Sequence, residues 1–196
     1  MFLHEDITFV LIMNNAPLKI LGIDPGTNIT GYGLVEIRNN KPVILDMGKI
    51  SPKKGMVHYE RIKVLHEEAL KLIDKYSPDV MAIEAPFYGK DIQAMLKLGR
   101  AQGVIMVAAL TNNVPIYEYA PLLVKQSITG MGRATKEQVA YFLQKVYNLT
   151  QLPETTDVTD AIAVAICHYI QQSKPQQKRE FKNWGDFVRK NPERVK

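Results

Sequence analysis

The chain has one cysteine in 196 residues, Cys167. A single thiol excludes an internal disulfide, and no Cys/His cluster has the spacing of a zinc site. A reducing, cytoplasmic setting is the resulting expectation. Long apolar runs are missing from the start of the chain. The longest there, residues 7–13, is too short to cross a bilayer. Its flank, His4-Glu5-Asp6, is acidic where an export signal would be basic. Residues 1–17 therefore read as an N-terminal extension, either an extra strand or a stretch ahead of a start at Met13, and no membrane partner is expected. Net charge is missing from most of the sequence. Of 25 basic and 20 acidic residues, eight and three fall within 174–196, which leaves 17 of each in residues 1–173. The formal excess of +5 belongs to the C-terminal tail. A basic tail on a neutral body suits a polyanion partner, and equally a solvated, solubilising segment. Internal repeats and low-complexity runs are absent too.

What is present suits one domain with a real core, assigned to residues 18–173 and followed by a basic, aromatic tail over 174–196. Hydrophobic content of 46% and charged content of 23% are ordinary for a soluble globular protein. Residues 19–24 read as a buried strand. Strands over 31–37 and 43–50 follow, with Asn39-Asn40 between them, which suggests a meander. From 56 to 76 the apolar residues Ile62, Leu65, Ala69, Leu72, Ile73 and Tyr76 recur at helical spacing, and Ser77-Pro78 ends the run. Residues 80–84 begin with four consecutive apolar positions, as in a strand covered on both faces. A helix over 91–110 is softened by Gly99 and Gly103. A fifth strand covers 114–119. Thr135-Lys136-Glu137-Gln138 has the form of a capping box that opens a helix through 147. The last core helix covers 159–171. This order predicts an α/β fold with a mixed sheet.

Three acidic sites fall at element ends. Asp24 closes the first strand, directly before Pro25-Gly26-Thr27. Glu84 closes the apolar strand 80–84, ahead of Ala85-Pro86. Asp157 and Asp160 open the last apolar helix and share one face of it. Each has a plain structural reading: Asp-Pro-Gly is a common turn, and an aspartate at a helix start serves as a cap. Together they are raw material for a divalent-metal site, because strand ends and helix starts can converge from distant positions. Unneutralised, such carboxylates would raise one another's pKa. Basic residues gather around Lys125, Arg133 and Lys136, near Gly130 and Gly132. Lys90, Lys97 and Arg100 follow Glu84. Phe87-Tyr88 could wedge into a base stack or anchor its own loop. His168, two turns after Asp160, reads as packing rather than as a ligand. In the tail, Phe181, Trp184, Phe187 and Val188 recur at near-helical spacing, which predicts a short amphipathic helix.

These residues resemble the RuvC family, the bacterial Holliday junction resolvases. The match runs over about 18–170. Its pieces are Ile20-Leu-Gly-Ile-Asp-Pro-Gly-Thr27 with Thr30-Gly-Tyr-Gly33, then Ala82-Ile-Glu84 with Phe87, Ala94-Met-Leu-Lys-Leu-Gly99 with Gly103, and Tyr117-Glu-Tyr-Ala120. Val124-Lys-Gln126 with Gly130-Met-Gly132 and Asp157-Val-Thr-Asp160-Ala-Ile-Ala163 complete it. The resemblance implies an RNase H-like fold with a five-stranded mixed β-sheet flanked by α-helices. It implies four metal-binding, catalytic carboxylates at Asp24, Glu84, Asp157 and Asp160, with two Mg²⁺ per site and Mn²⁺ as a substitute. It also implies DNA contacts from Phe87, Lys125 and Lys136, and Arg133 is expected to join them as a member of the same basic cluster. The implied activity is symmetric nicking of opposed strands in four-way junction DNA by a homodimer that works with the RuvA–RuvB branch-migration helicase. The residues outside 18–170 inherit no role from it.

Three other readings share some of these features. A sugar kinase or actin-like ATPase also opens with a Gly-Ile-Asp-x-Gly-Thr loop, but needs a second lobe for which 196 residues leave little room. A non-enzymatic junction-binding module would not need all four acids. An RNase H-like nuclease acting on RNA would use the same carboxylates on another substrate.

Overall fold

The computed structural model describes residues 16–86, 91–146, 156–174 and 184–194. The N-terminal stretch 1–15 and Phe87, Tyr88 and Lys90 lie outside them, as do Tyr147 and Phe181. Five strands form one sheet: β1 (Leu18–Asp24), β2 (Thr30–Arg38), β3 (Lys41–Ile50), β4 (Val80–Glu84) and β5 (Ile116–Tyr119). Their order is β3-β2-β1-β4-β5. The first three strands are an antiparallel meander, while β4 runs parallel to β1 and β5 parallel to β4, so the sheet is mixed as the sequence predicts. Asn39 and Asn40 make the tight β2–β3 turn with φ of 50° and 59°, a backbone region asparagine tolerates better than most residues.

Two layers of helix cover the sheet. Side chains alternate between faces along each strand, so one periodicity divides the core in two. Leu21 and Ile23 of β1 and Met81 and Ile83 of β4 pack with α1 (His58–Tyr76) and α2 (Ile92–Thr111). Leu18, Ile20, Val80 and Ala82 pack on the other side with α3 (Pro121–Thr129), α4 (Lys136–Val146) and α5 (Thr156–Ser173). A short α6 (Trp184–Lys190) lies where the tail spacing predicts a helix. Within it Asp186 pairs with Arg189 and Lys190 at 3.8 and 3.4 Å, which offsets part of the tail's positive charge.

α5 is the central helix, and three glycines let it sit on the sheet. Gly22 and Gly33 are cross-strand partners, and Gly31 lies on the same face. A Cβ on Gly22 would come 2.1 Å from the Ala161 carbonyl oxygen, and one on Gly31 would come 2.0 Å from that of Asp157. Both distances are far inside van der Waals contact, and the obstacle in each case is backbone. Gly31→Ala is therefore expected to destabilise the fold by about 2–3 kcal/mol, because α5 must lift to admit one methyl group. Urea unfolding measures this directly.

α3 has no clear periodic signal in the sequence. It is only nine residues long and carries Ser127 and Thr129, whose hydroxyls donate back to the Leu123 and Lys125 carbonyls at 2.8 Å each. Its signals are Pro121 at the start and Gly130 just past the end, with φ 77°. His168 is core: fully buried, with Nδ1 2.7 Å from the Tyr119 hydroxyl and its ring against Tyr117. α2 is largely exposed in its N-terminal half and packed along one face in its C-terminal half. Ala101, Ile105, Ala108 and Ala109 are buried against the body. Ile92, Leu96, Val107 and Leu110 are 72%, 51%, 50% and 59% exposed, and open space surrounds Gly99 and Gly103. By length and composition α2 alone among the described residues could cross a bilayer, and 28% of its apolar window is buried in the body.

Candidate active site

Strand periodicity builds the first half of the site. β1 and β4 are parallel neighbours with Ile20 opposite Val80 and Ile23 opposite Ile83. One step further, Asp24 and Glu84 end the two strands in register, on the face that α5 covers. Adjacent strands lie about 4.8 Å apart, so the carboxylates are held close by the backbone itself. The turn after Asp24 is latched: the Thr30 hydroxyl donates to the Gly26 carbonyl at 2.8 Å and accepts from the Gly26 N–H at 3.1 Å. Thr30 is fully buried, and a Cβ on Gly26 would strike the Ile29 carbonyl oxygen. Thr30, Gly26 and the close-approach glycines are positioning residues that sequence reasoning gave no role. Glycine inside a strand was the signal available for three of them, Gly22, Gly31 and Gly33.

α5 supplies the second half. Gly31 is the cross-strand partner of Asp24, and the Asp157 carbonyl sits directly over Gly31. The seat that the glycines create thus brings the first turn of α5, with Asp157 and Asp160, over the end of β1. Lys136, at the start of α4, reaches the same point, and its Nζ donates to Asp160 Oδ2 at 2.5 Å. The capping box predicted there is present. Thr135 N–H donates to Gln138 Oε1 at 2.9 Å and Gln138 N–H to Thr135 Oγ1 at 3.2 Å. Glu84, Asp160, Lys125, Arg133 and Lys136 line one cavity of about 460 Å³, with Val124, Val139 and Ala163 among its apolar walls.

Burial governs the electrostatics, and crowding of the carboxylates adds to it. Asp24 is pushed up from 3.8 to about 8, first by burial and then by Glu84, Asp160 and Asp157, with Lys136 opposing. Glu84 rises from 4.5 to about 7, again through burial first and Asp160 second, with Lys136 and Lys125 opposing. Burial works against the Lys136 charge, yet the hydrogen bond and charge of Asp160, with Asp24 and Asp157, outweigh it and raise its pKa. Negative charge is in excess here, and the donors are hard carboxylate oxygens. That donor set fits a hard divalent cation. Among the described residues no three such groups already close into a cage.

The sequence profile of crossover junction endodeoxyribonuclease RuvC matches residues 20–168. The chain belongs to the RuvC family. RuvC of Bacteroides fragilis is 50% identical over 179 residues, 90% of this chain and 95% of that one. The solved structure of Thermus thermophilus RuvC in complex with a Holliday junction substrate superposes with a TM-score of 0.74 at 30% identity, over 79% of this chain and 94% of its own. The yeast mitochondrial Holliday junction resolvase shares the fold at 12% identity, with a TM-score of 0.59 over 79% of this chain and 80% of its own. The fold is RNase H-like. In this RuvC chain five of the eight predicted site residues, Glu84, Asp160, Lys125, Arg133 and Lys136, line one cavity, and Asp24 and Asp157 lie close enough to act electrostatically on that group. The eighth, Phe87, lies outside the described residues.

Proposed function

We propose that this chain is a metal-dependent Holliday junction resolvase that nicks two opposed strands of a four-way DNA junction and leaves ligatable 5′-phosphate and 3′-hydroxyl ends. The observation that carries the reading is the convergence of Asp24, Glu84, Asp157 and Asp160 from three elements beside Lys136, on an RNase H-like sheet. Asp24, Glu84, Asp157 and Asp160 would hold Mg²⁺, two ions per site with Mn²⁺ as a substitute, and the metal supplies water activation and neutralisation of the attacked phosphate. Lys125, Arg133 and Lys136 line the same cavity and would hold the phosphate in line. Parallel cleavage assays on four-way DNA junctions and RNA–DNA hybrids, each with Mg²⁺ and with a chelator, test the reading. Preference for the hybrid, or cleavage that survives chelation, would sink it.

Symmetric nicking calls for two copies of one site related by a two-fold axis. The exposed stripe Ile92, Leu96, Val107 and Leu110 on α2 supports a homodimer, and the open Gly99 and Gly103 let a second backbone come close. Leu96→Glu is expected to convert the dimer to monomer in sedimentation while the circular dichroism spectrum is kept. A variant that stays dimeric would move the interface elsewhere. The RuvA–RuvB helicase is the expected partner on the junction.

A further inference from the structure

Beside the Asp24 turn lies a second cavity, of about 300 Å³, lined by Thr27, Asn28, Met56, His58, Arg61 and Lys97. Three segments wall it: the loop after β1, the start of α1 and the exposed half of α2. No lining residue is acidic. Arg61 is held in place, with Nε donating to the Met56 carbonyl at 2.9 Å and Nη1 to Asn28 Oδ1. That leaves three of the five guanidinium donors. Lys97 projects from α2, and Arg100 is close enough to act on the same point. Burial first, and then the charges of Arg100, Lys97 and Arg61, hold the His58 imidazole below its usual pKa. Among the described residues none of these three cations has a carboxylate partner. His58 Nε2 is closed off from solvent and has no hydrogen-bond partner.

Convergent cations, spare N–H donors and an orphaned ring nitrogen suit an anion. The cavity is small and polar, with no Phe, Tyr or Trp in its wall to stack a base, so the anion is compact. Its place is set by the chain: Thr27 is three residues from Asp24, so their Cα atoms are at most roughly 11 Å apart. We infer that Arg61, Lys97 and His58 form a second phosphate site, which holds a non-scissile backbone phosphate of the DNA strand that enters the active-site cleft. This rests on the DNA-cleaving reading above. It adds to that reading a fixed point, so that strand register at Asp24 is set by two phosphates rather than one.

The test uses the full chain and equilibrium binding without divalent metal, so that no strand is cut and the outcome does not depend on cleavage. Arg61→Ala/Lys97→Ala is expected to lower junction affinity about tenfold and to reduce the slope of log K against log salt by about one. Lys71→Ala, an exposed lysine paired with Glu68, is the control and should match wild type. Because Arg61 also braces the Asn28 loop, Lys97→Gln is measured alongside; it removes one charge from an exposed position and should lose affinity in the same direction. Neutral methylphosphonates are then placed one at a time along the strand. One non-scissile position should weaken wild type and have no further effect on the double variant. Pocket variants that match Lys71→Ala, or methylphosphonate losses that are the same in both proteins at every position, would overturn the inference. So would saturation of the His58 ring resonances by millimolar inorganic phosphate alone, which would mark a site for free anions. A wild type that binds but never cuts junctions would instead overturn the nuclease reading and leave this result standing.

Discussion

Asp24→Asn is expected to abolish junction cleavage, a loss of about a thousandfold or more, while junction binding survives. Asp24 is pushed up by burial first and then by Glu84, Asp160 and Asp157 together, so all three other acids of the group act on it. The substitution keeps its shape, removes an anionic metal donor and takes no phosphate contact away. Glu84→Gln and Asp160→Asn should behave alike. A stability measurement separates this account from simple misfolding. The Asp24 carboxyl has a folded pKa of about 8 against an ordinary value of 3.8. A raised acid favours folding while protonated. That contribution is complete below about pH 3.8 and fades as pH rises through about 8. Glu84, raised to about 7, acts in the same direction over a narrower range. Without metal, wild type should therefore melt lower at pH 8 than at pH 5, and Asp24→Asn should melt above wild type at pH 8. Mg²⁺ should raise the wild-type Tm at pH 8 and leave the variant nearly unmoved, since a cation stabilises only the state that binds it. Near wild-type cleavage by Asp24→Asn, or a metal-free variant that melts below wild type at pH 8, would refute the four-carboxylate site.

Much of this site was legible because strand periodicity is rigid. Asp24 and Glu84 each follow a run of buried residues, and a parallel pairing of those runs leaves the two acids side by side. The helix carrying Asp157 and Asp160 could be read from its apolar run. Its height over the sheet could not. That height depends on the absence of side chains at Gly22, Gly31 and Gly33, and an absent side chain gives no periodic signal. α3 escaped for a related reason: Ser127 and Thr129 weaken a short helix pattern, and the hydroxyl–carbonyl bonds that satisfy them are visible only in three dimensions. Lys125 was picked out by the family motif and by its basic neighbours, not by the helix that aims it. The pocket of His58, Arg61 and Lys97 joins positions scattered over 27–97 and follows no local spacing at all.

Lys136→Ala is expected to slow cleavage at saturating metal by about a hundredfold, close to the loss of one well-placed donor to a transition state. Its ammonium is half exposed, 2.5 Å from Asp160, and shares a cavity wall with Glu84 and Lys125. Such a group can turn from the carboxylate to a phosphate oxygen once a dication neutralises Asp160. The same position would make Lys136 a competitor of a bound dication. Its positive charge lowers the pKa of both Asp24 and Glu84, so its removal leaves those carboxylates more basic and the site more negative. Lys136→Ala should therefore bind Mg²⁺ several-fold more tightly in titration calorimetry at pH 8 while cutting more slowly, and its pH–rate profile should shift upward. Lys136→Arg keeps the charge and should restore the metal affinity, but not the full rate, because a planar fork does not replace a compact ammonium. The two effects run in opposite directions, which a general disturbance of α4 cannot produce. If Lys136→Ala weakened metal binding along with cleavage, the lysine would be bracing the site rather than acting on the phosphate.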